Sequence, residues 1–126
     1  MLYLDSSALV KRYVREVGRE LVAAAVASDP YVATSILSIV QVHAALAAAV
    51  RAGRIPDMGT VISAFRNHRE QYIMIGIDSR LIEEAAEATE RHALHGYDAV
   101  QLAFALIGFR SDRLPCYFGQ HDIWHL

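Results

Sequence analysis

Asp5 follows a short apolar run, Leu2-Tyr3-Leu4, and precedes Ser6 and Ser7. A run without polar alternation suits a strand buried on both faces, which puts this carboxylate at a strand tip. A carboxylate there is costly unless it caps a helix, pairs with a cation or binds a metal ion. Capping is the plain alternative, because Asp is a preferred residue at helix starts. Asp98 carries the same two readings. It leads into Ala99-Val100-Gln101-Leu102-Ala103-Phe104-Ala105-Leu106-Ile107, apolar nearly all round and therefore expected to be a buried helix. The aspartate either caps that helix or is held rigidly near the sheet for chemistry.

The other reactive side chains point less sharply. His43, His68, His92, His95, His121 and His125 show no paired spacing with cysteine, and Cys116 alone cannot complete a cysteine-rich zinc site. His92 with His95, and His121 with His125, have helix-compatible spacings, but surface placement accounts better for them, and an inert buried thiol for Cys116. Lys11, Arg12, Arg15 and Arg19 cluster after Asp5. Cations flanking an acidic centre hold RNA phosphates mainly by charge. Arg12 and Arg15, three apart on one expected helix face, are the best placed, with a solvated face as the alternative. Tyr3, Tyr13, Tyr31 and Tyr97 read as core or interface aromatics.

Strands alternating with helices position these groups. Tyr31-Val32-Ala33 reads as a second strand, with Thr34-Ser35 as a cap for a long helix from Ile36 to Ala52, ended by Gly53. Leu37, Val40, Ala44 and Ala47 form its expected buried face. Pro56 precedes a helix over Met58 to Tyr72, and Ile73 to Ile77 is a third strand. Asp78-Ser79 caps a helix that Gly96 interrupts. Leu114 to Phe118 offers a last strand, in which Pro115 belongs at the first residue or an edge; the tail from Asp122 is too short to assign. The pattern predicts one domain over 1–126, an α/β three-layer sandwich with a central parallel sheet. In such sheets ligands bind beyond the carboxyl ends of the strands, where Asp5 stands.

Bulk properties exclude several classes. With 54% apolar and 21% charged residues, a sizeable core is expected and global disorder is not. A net charge of -2 excludes recognition by a strongly basic whole-protein field. A lone cysteine, no signal-like start and no run near the roughly 20 apolar residues of a membrane span predict a cytoplasmic protein without membrane contact.

Three segments together resemble the PIN-domain family, particularly its VapC-type toxin ribonucleases. Leu4-Asp5-Ser6-Ser7-Ala8-Leu9-Val10-Lys11 with Tyr13 is similar to the family's opening motif. Val32-Ala33-Thr34-Ser35 followed by Val40-Gln41-Val42 is similar to its second motif, and Gly96 to Ala103 to its third. The resemblance implies an endoribonuclease that uses Mg²⁺ or Mn²⁺, dimerises, and is blocked by an antitoxin protein. It matches Asp5 and Asp98 to two family acids and Ser6 to the supporting hydroxyl, for which capping is the alternative. Gln41 and Gln120 stand where the family has acids; Asp122 lies two residues beyond Gln120 and is the substitute if that loop is rearranged. Because a glutamine is neutral and no base, a degenerate PIN domain that only binds is the second reading. A receiver-like doubly wound domain is disfavoured, since Lys11 is the only lysine and none follows the last strand.

Overall fold

The computed structural model describes residues 1–108 and the strands at 115–117 and 123–125, with the backbone alone for Tyr97, Ile107, Gly108 and those two strands. The elements are β1 (Leu2–Leu4), α1 (Ser6–Val10), α2 (Arg19–Ser28), β2 (Val32–Ser35), α3 (Leu37–Arg51), α4 (Met58–Arg69), β3 (Ile73–Ile75), α5 (Ser79–His92), α6 (Gly96–Gly108), β4 (Pro115–Tyr117) and β5 (Ile123–His125). One sheet runs in the order β3-β2-β1-β4-β5. β1 is parallel to β2 and β4, with Leu2 opposite Val32 and Leu4 opposite Tyr117, and β2 is parallel to β3. β5 lies antiparallel to β4. The parallel sheet expected from the sequence therefore holds for four strands, and the tail adds a fifth in the opposite direction. Pro115 does open its strand, but that strand lies between two others, not at an edge.

Side-chain alternation along β1 builds the layers. Leu2 and Leu4 enter a core with Leu9, Val42, Leu46 and Phe65 beneath α1 to α4. Tyr3 enters a separate core with Ala33, Leu81, Ala85 and Phe104 beneath α5 and α6. β2 alternates likewise, Val32 on the first side and Ala33 on the second. This is the expected three-layer arrangement.

Local chemistry fixes the helix ends. Asp57 accepts from the Gly59 and Thr60 N–H groups, and Asp78 from that of Leu81. Gly53 ends α3 with φ 72°. α5 stops at Ala93, left-handed at φ 49°, three residues before the expected break, so Gly96 belongs to α6. α4 and β3 also end early, at Arg69 and Ile75.

One helix faces the core differently from expectation. α3 buries Ser38, Val42, Leu46 and Ala49, whereas Val40, assigned to the inner face, is 71% exposed. An almost uniformly apolar helix fits either rotation by pattern, and its partners choose. Here the choice turns Ser38 inward, with consequences for the site. Among the described residues no helix is long and apolar enough to cross a membrane.

Candidate active site

Asp5 stands where the strand order reverses: the chain steps from β1 to β2 and β3 on one side, then to β4 on the other. The carboxyl end of such a strand opens on the crevice that ligands occupy. The side chain is only 4% exposed. Its Oδ1 accepts from the Ala8 N–H at 2.8 Å and its Oδ2 from the Ser7 hydroxyl at 3.2 Å. Asp5 is thus the cap of α1, and Ser6, half-buried as the first helical residue, is not. Capping does not exhaust a carboxylate, which offers about four acceptor sites.

Next along the chain from Asp5, at Leu4, begins a buried polar network that joins four elements, β1, β2, α3 and α6. The Thr34 hydroxyl donates to the Leu4 carbonyl at 2.7 Å, and Ser38 Oγ lies 2.9 Å from Thr34 Oγ1 and 3.2 Å from Ser35 Oγ. Ser35 Oγ accepts from the Ser38 N–H at 3.2 Å. Thr34 and Ser35 were expected as a helix cap; they are the last residues of β2, and Ser35 caps from within the strand. From α6, Gln101 accepts from the Tyr3 hydroxyl at 2.5 Å and donates through Nε2 to Ser38 Oγ at 3.3 Å and Gln41 Oε1 at 2.8 Å. Thr34, Ser35, Ser38 and Gln101 are all buried. The sequence marked Thr34 and Ser35 only as a cap, and gave Ser38 and Gln101 no polar partner. The usable signals were two hydroxyls that end a strand, a third three residues further on, and one glutamine within an otherwise apolar helix.

Asp98 is exposed in the first turn of α6, its third residue and not its cap. It lies three residues before Gln101 and so shares its side of the helix. Gln41, one turn after Ser38 on α3, is half-buried and engaged by Gln101. Gln120 and Asp122 lie outside the described residues. Among the described residues no three acidic, histidine or cysteine side chains form a group that could hold a metal ion.

The basic residues depart from expectation. α1 ends at Val10, so Arg12 and Arg15 share no helix face. Arg12 lies in the following turn, hydrogen-bonded to the Tyr72 hydroxyl with its guanidinium 5.8 Å from that ring's centre. Arg15 is exposed. Lys11 and Arg54 flank Glu16 at 3.5 and 3.1 Å.

Near Arg12, the Tyr13 hydroxyl lies 2.8 Å from His68 Nδ1. Burial, and then Tyr72, push the Tyr13 phenol far up, against the opposing pull of Arg12. It therefore stays protonated, and which of the two groups donates follows the His68 tautomer. Burial and the Arg12 cation lower the His68 pKa. A depressed histidine contributes stability above its unfolded pKa of about 6.5 that is lost as pH falls through the folded value. The urea midpoint is expected to be lower at pH 5.5 than at pH 7.5, with the difference reduced in His68→Gln. An unchanged difference in that variant would place the effect elsewhere. His92 and His95 are exposed as expected, while His121 and the His125 and Cys116 side chains lie outside the described residues; His43 packs edge-on against Phe65 with Nε2 buried and unpaired among the described residues. Tyr3 is fully buried and Tyr13 packs on Phe65, whereas Tyr31 is 62% exposed.

No protein-family model and no curated protein matches the sequence. Solved structures do match. A toxin–antitoxin complex from Klebsiella pneumoniae aligns over 90% of this chain and 83% of the other, at 18% identity and a TM-score of 0.65. VapC20 of Mycobacterium tuberculosis, a sarcin–ricin-loop-cleaving toxin, aligns over 95% and 92%, at 16% identity and a TM-score of 0.67. VapBC2 from Rickettsia felis, bound to a promoter DNA fragment, aligns over 90% and 85%, at 10% identity and a TM-score of 0.58. The fold is the PIN-like fold of VapC toxins.

Proposed function

We propose that the chain is a metal-dependent endoribonuclease of the VapC toxin type, acting on RNA in the cytoplasm, forming a homodimer and restrained by a cognate antitoxin. The observation that carries the reading is Asp5, a nearly buried carboxylate at the carboxyl end of the central strand, at the strand-order reversal of this fold. Similarity to a toxin that cleaves the sarcin–ricin loop and to toxin–antitoxin complexes supports both the substrate class and the partner.

The donors suit a hard cation in kind. Asp5 and Asp98 offer oxygen only, and Mg²⁺ is held by one or two carboxylates with waters and substrate phosphates completing its shell. Asp5 and Asp98 would hold Mg²⁺ or Mn²⁺, with Asp122 as the further acid. A bound ion supplies an activated water and neutralises charge on the phosphate. The chain's own contribution is rigidity: the Ala8 N–H and Ser7 hydroxyl orient Asp5, and the Thr34 bond holds the Leu4 carbonyl before it. Exposed Arg15 is the better of the two arginines for an RNA phosphate.

A second reading, a degenerate PIN domain that binds without cleaving, is favoured by one observation: the Gln41 carbonyl is taken up by Gln101. Incubation with single-stranded RNA and with a sarcin–ricin stem-loop, in Mg²⁺, in Mn²⁺ and in EDTA, separates the two. Cleavage in either metal and none in EDTA is the expected result. RNA binding without cleavage in any condition would give the second reading.

A further inference from the structure

The orientation of the Gln41 amide is set by a backbone carbonyl some way off. The Leu4 carbonyl can only accept, so the single proton of the Thr34 hydroxyl is committed to it at 2.7 Å. The proton in the 2.9 Å contact between Thr34 Oγ1 and Ser38 Oγ must then be Ser38's. With its proton spent, Ser38 Oγ faces Gln101 as an acceptor, and Gln101 must present its NH₂ group at 3.3 Å. The Tyr3 hydroxyl, donating to Gln101 Oε1 from the other side, agrees with that orientation. The same NH₂ group meets Gln41 at 2.8 Å, so Gln41 must answer with its carbonyl oxygen. Its Nε2 hydrogens are thereby turned away from the network, and among the described residues nothing accepts from them.

We propose that Gln41 ligates no metal ion and instead donates its Nε2 hydrogens to a non-bridging phosphate oxygen of bound RNA. The inference rests on the ribonuclease reading of the Asp5 edge. Half-buried Gln41, with its oxygen taken by Gln101, has a donor left to offer, which repels a cation and suits an anionic oxygen. Side-chain amides are ordinary phosphate donors that position a backbone without reading its sequence.

Two titrations on the whole chain test this. RNA affinity is measured in EDTA by fluorescence anisotropy with a labelled single strand, and Mn²⁺ affinity by calorimetry without RNA. Gln41→Ala is expected to weaken RNA binding about tenfold, as for a hydrogen bond to a charged group. Gln41→Glu, which places a carboxylate against the phosphate, is expected to weaken it further in EDTA. Mn²⁺ affinity of Gln41→Ala is expected to match wild type, while Asp5→Asn loses it. Unchanged RNA affinity in Gln41→Ala overturns the inference, as does a loss of Mn²⁺ binding in Gln41→Ala as large as that in Asp5→Asn. Failure of the underlying reading looks different: Asp5→Asn would then bind Mn²⁺ as well as wild type does.

Discussion

Asp5→Asn is expected to leave stability nearly unchanged and to remove Mn²⁺ binding and RNA cleavage together. The substitution separates the observed capping task of this side chain from the proposed metal-binding one. As a helix cap, Asn is about as good as Asp, since its amide oxygen can still accept the Ala8 N–H now held at 2.8 Å. The unfolding midpoint in urea should therefore shift little. As a cation ligand the amide is far poorer, because it carries no charge. Loss of an outer-shell group at a metal site commonly costs ~10–100-fold, so loss of a proposed ligand is expected to cost at least about 100-fold in Mn²⁺ affinity and in cleavage rate. Asp5→Ala supplies the contrast: it loses the ion and also about 1 kcal/mol of stability with the cap. If Asp5→Asn cleaves as well as wild type while Asp5→Ala is merely less stable, Asp5 is a cap and nothing more.

The observed cap and the proposed ligand being one residue explains why the sequence posed them as alternatives. A run of three apolar residues ending in Asp-Ser-Ser places a carboxylate at a strand tip and before a helix at once, and one pattern encodes both. The layers were legible for the same kind of reason. β1 and the start of β2, Val32 and Ala33, are short, apolar and buried, which only a sheet covered on both faces tolerates. The rotation of α3 was not legible. Its apolar residues nearly encircle it, so the stripe of Leu37, Val40, Ala44 and Ala47 scored as well as the buried one. The tail strand was beyond pattern reading too, because three residues carry no usable period. Arg12 and Arg15 failed as a pair because their helix stops after five residues, a length set by the turn after Val10 and not by propensity.

The polar network was hidden for a different reason. Thr34, Ser35 and Ser38 carry small side chains that read equally as caps, strand ends or surface, and only burial turns them into a relay. Gln101 was visible as an interruption in an apolar helix, but its partners lie 60, 63 and 98 residues away in sequence. Such a network must be fully satisfied to be tolerated in a core, since an unpaired buried polar group costs about 1–3 kcal/mol. Its directionality comes from that requirement. One carbonyl that can only accept fixes each donor in turn, out to the half-buried amide of Gln41.

The network makes a second large effect predictable at that position. Gln41→Glu is expected to fold normally, to bind Mn²⁺ at least about tenfold more tightly, and to cleave RNA faster, since affinity for hard cations rises with the charge of the ligand set. Gln101 already presents its NH₂ group to residue 41 at 2.8 Å. A carboxylate oxygen can take the place of the Gln41 carbonyl there, and the bond becomes charge-assisted and stronger. The second oxygen would then replace the Nε2 group, changing the outward atom from donor to acceptor without disturbing Ser38, Thr34 or Tyr3. The surroundings of Gln41 are in this sense already suited to an acid. Mn²⁺ calorimetry and a cleavage time course on the variant provide the measurement. A gain in affinity with cleavage appearing only in the variant would select the binding-module reading of the natural chain, with Gln41 as its cause. No gain in affinity would mean that residue 41 stands out of reach of the ion, and that Asp5 and Asp98 hold it without help from α3.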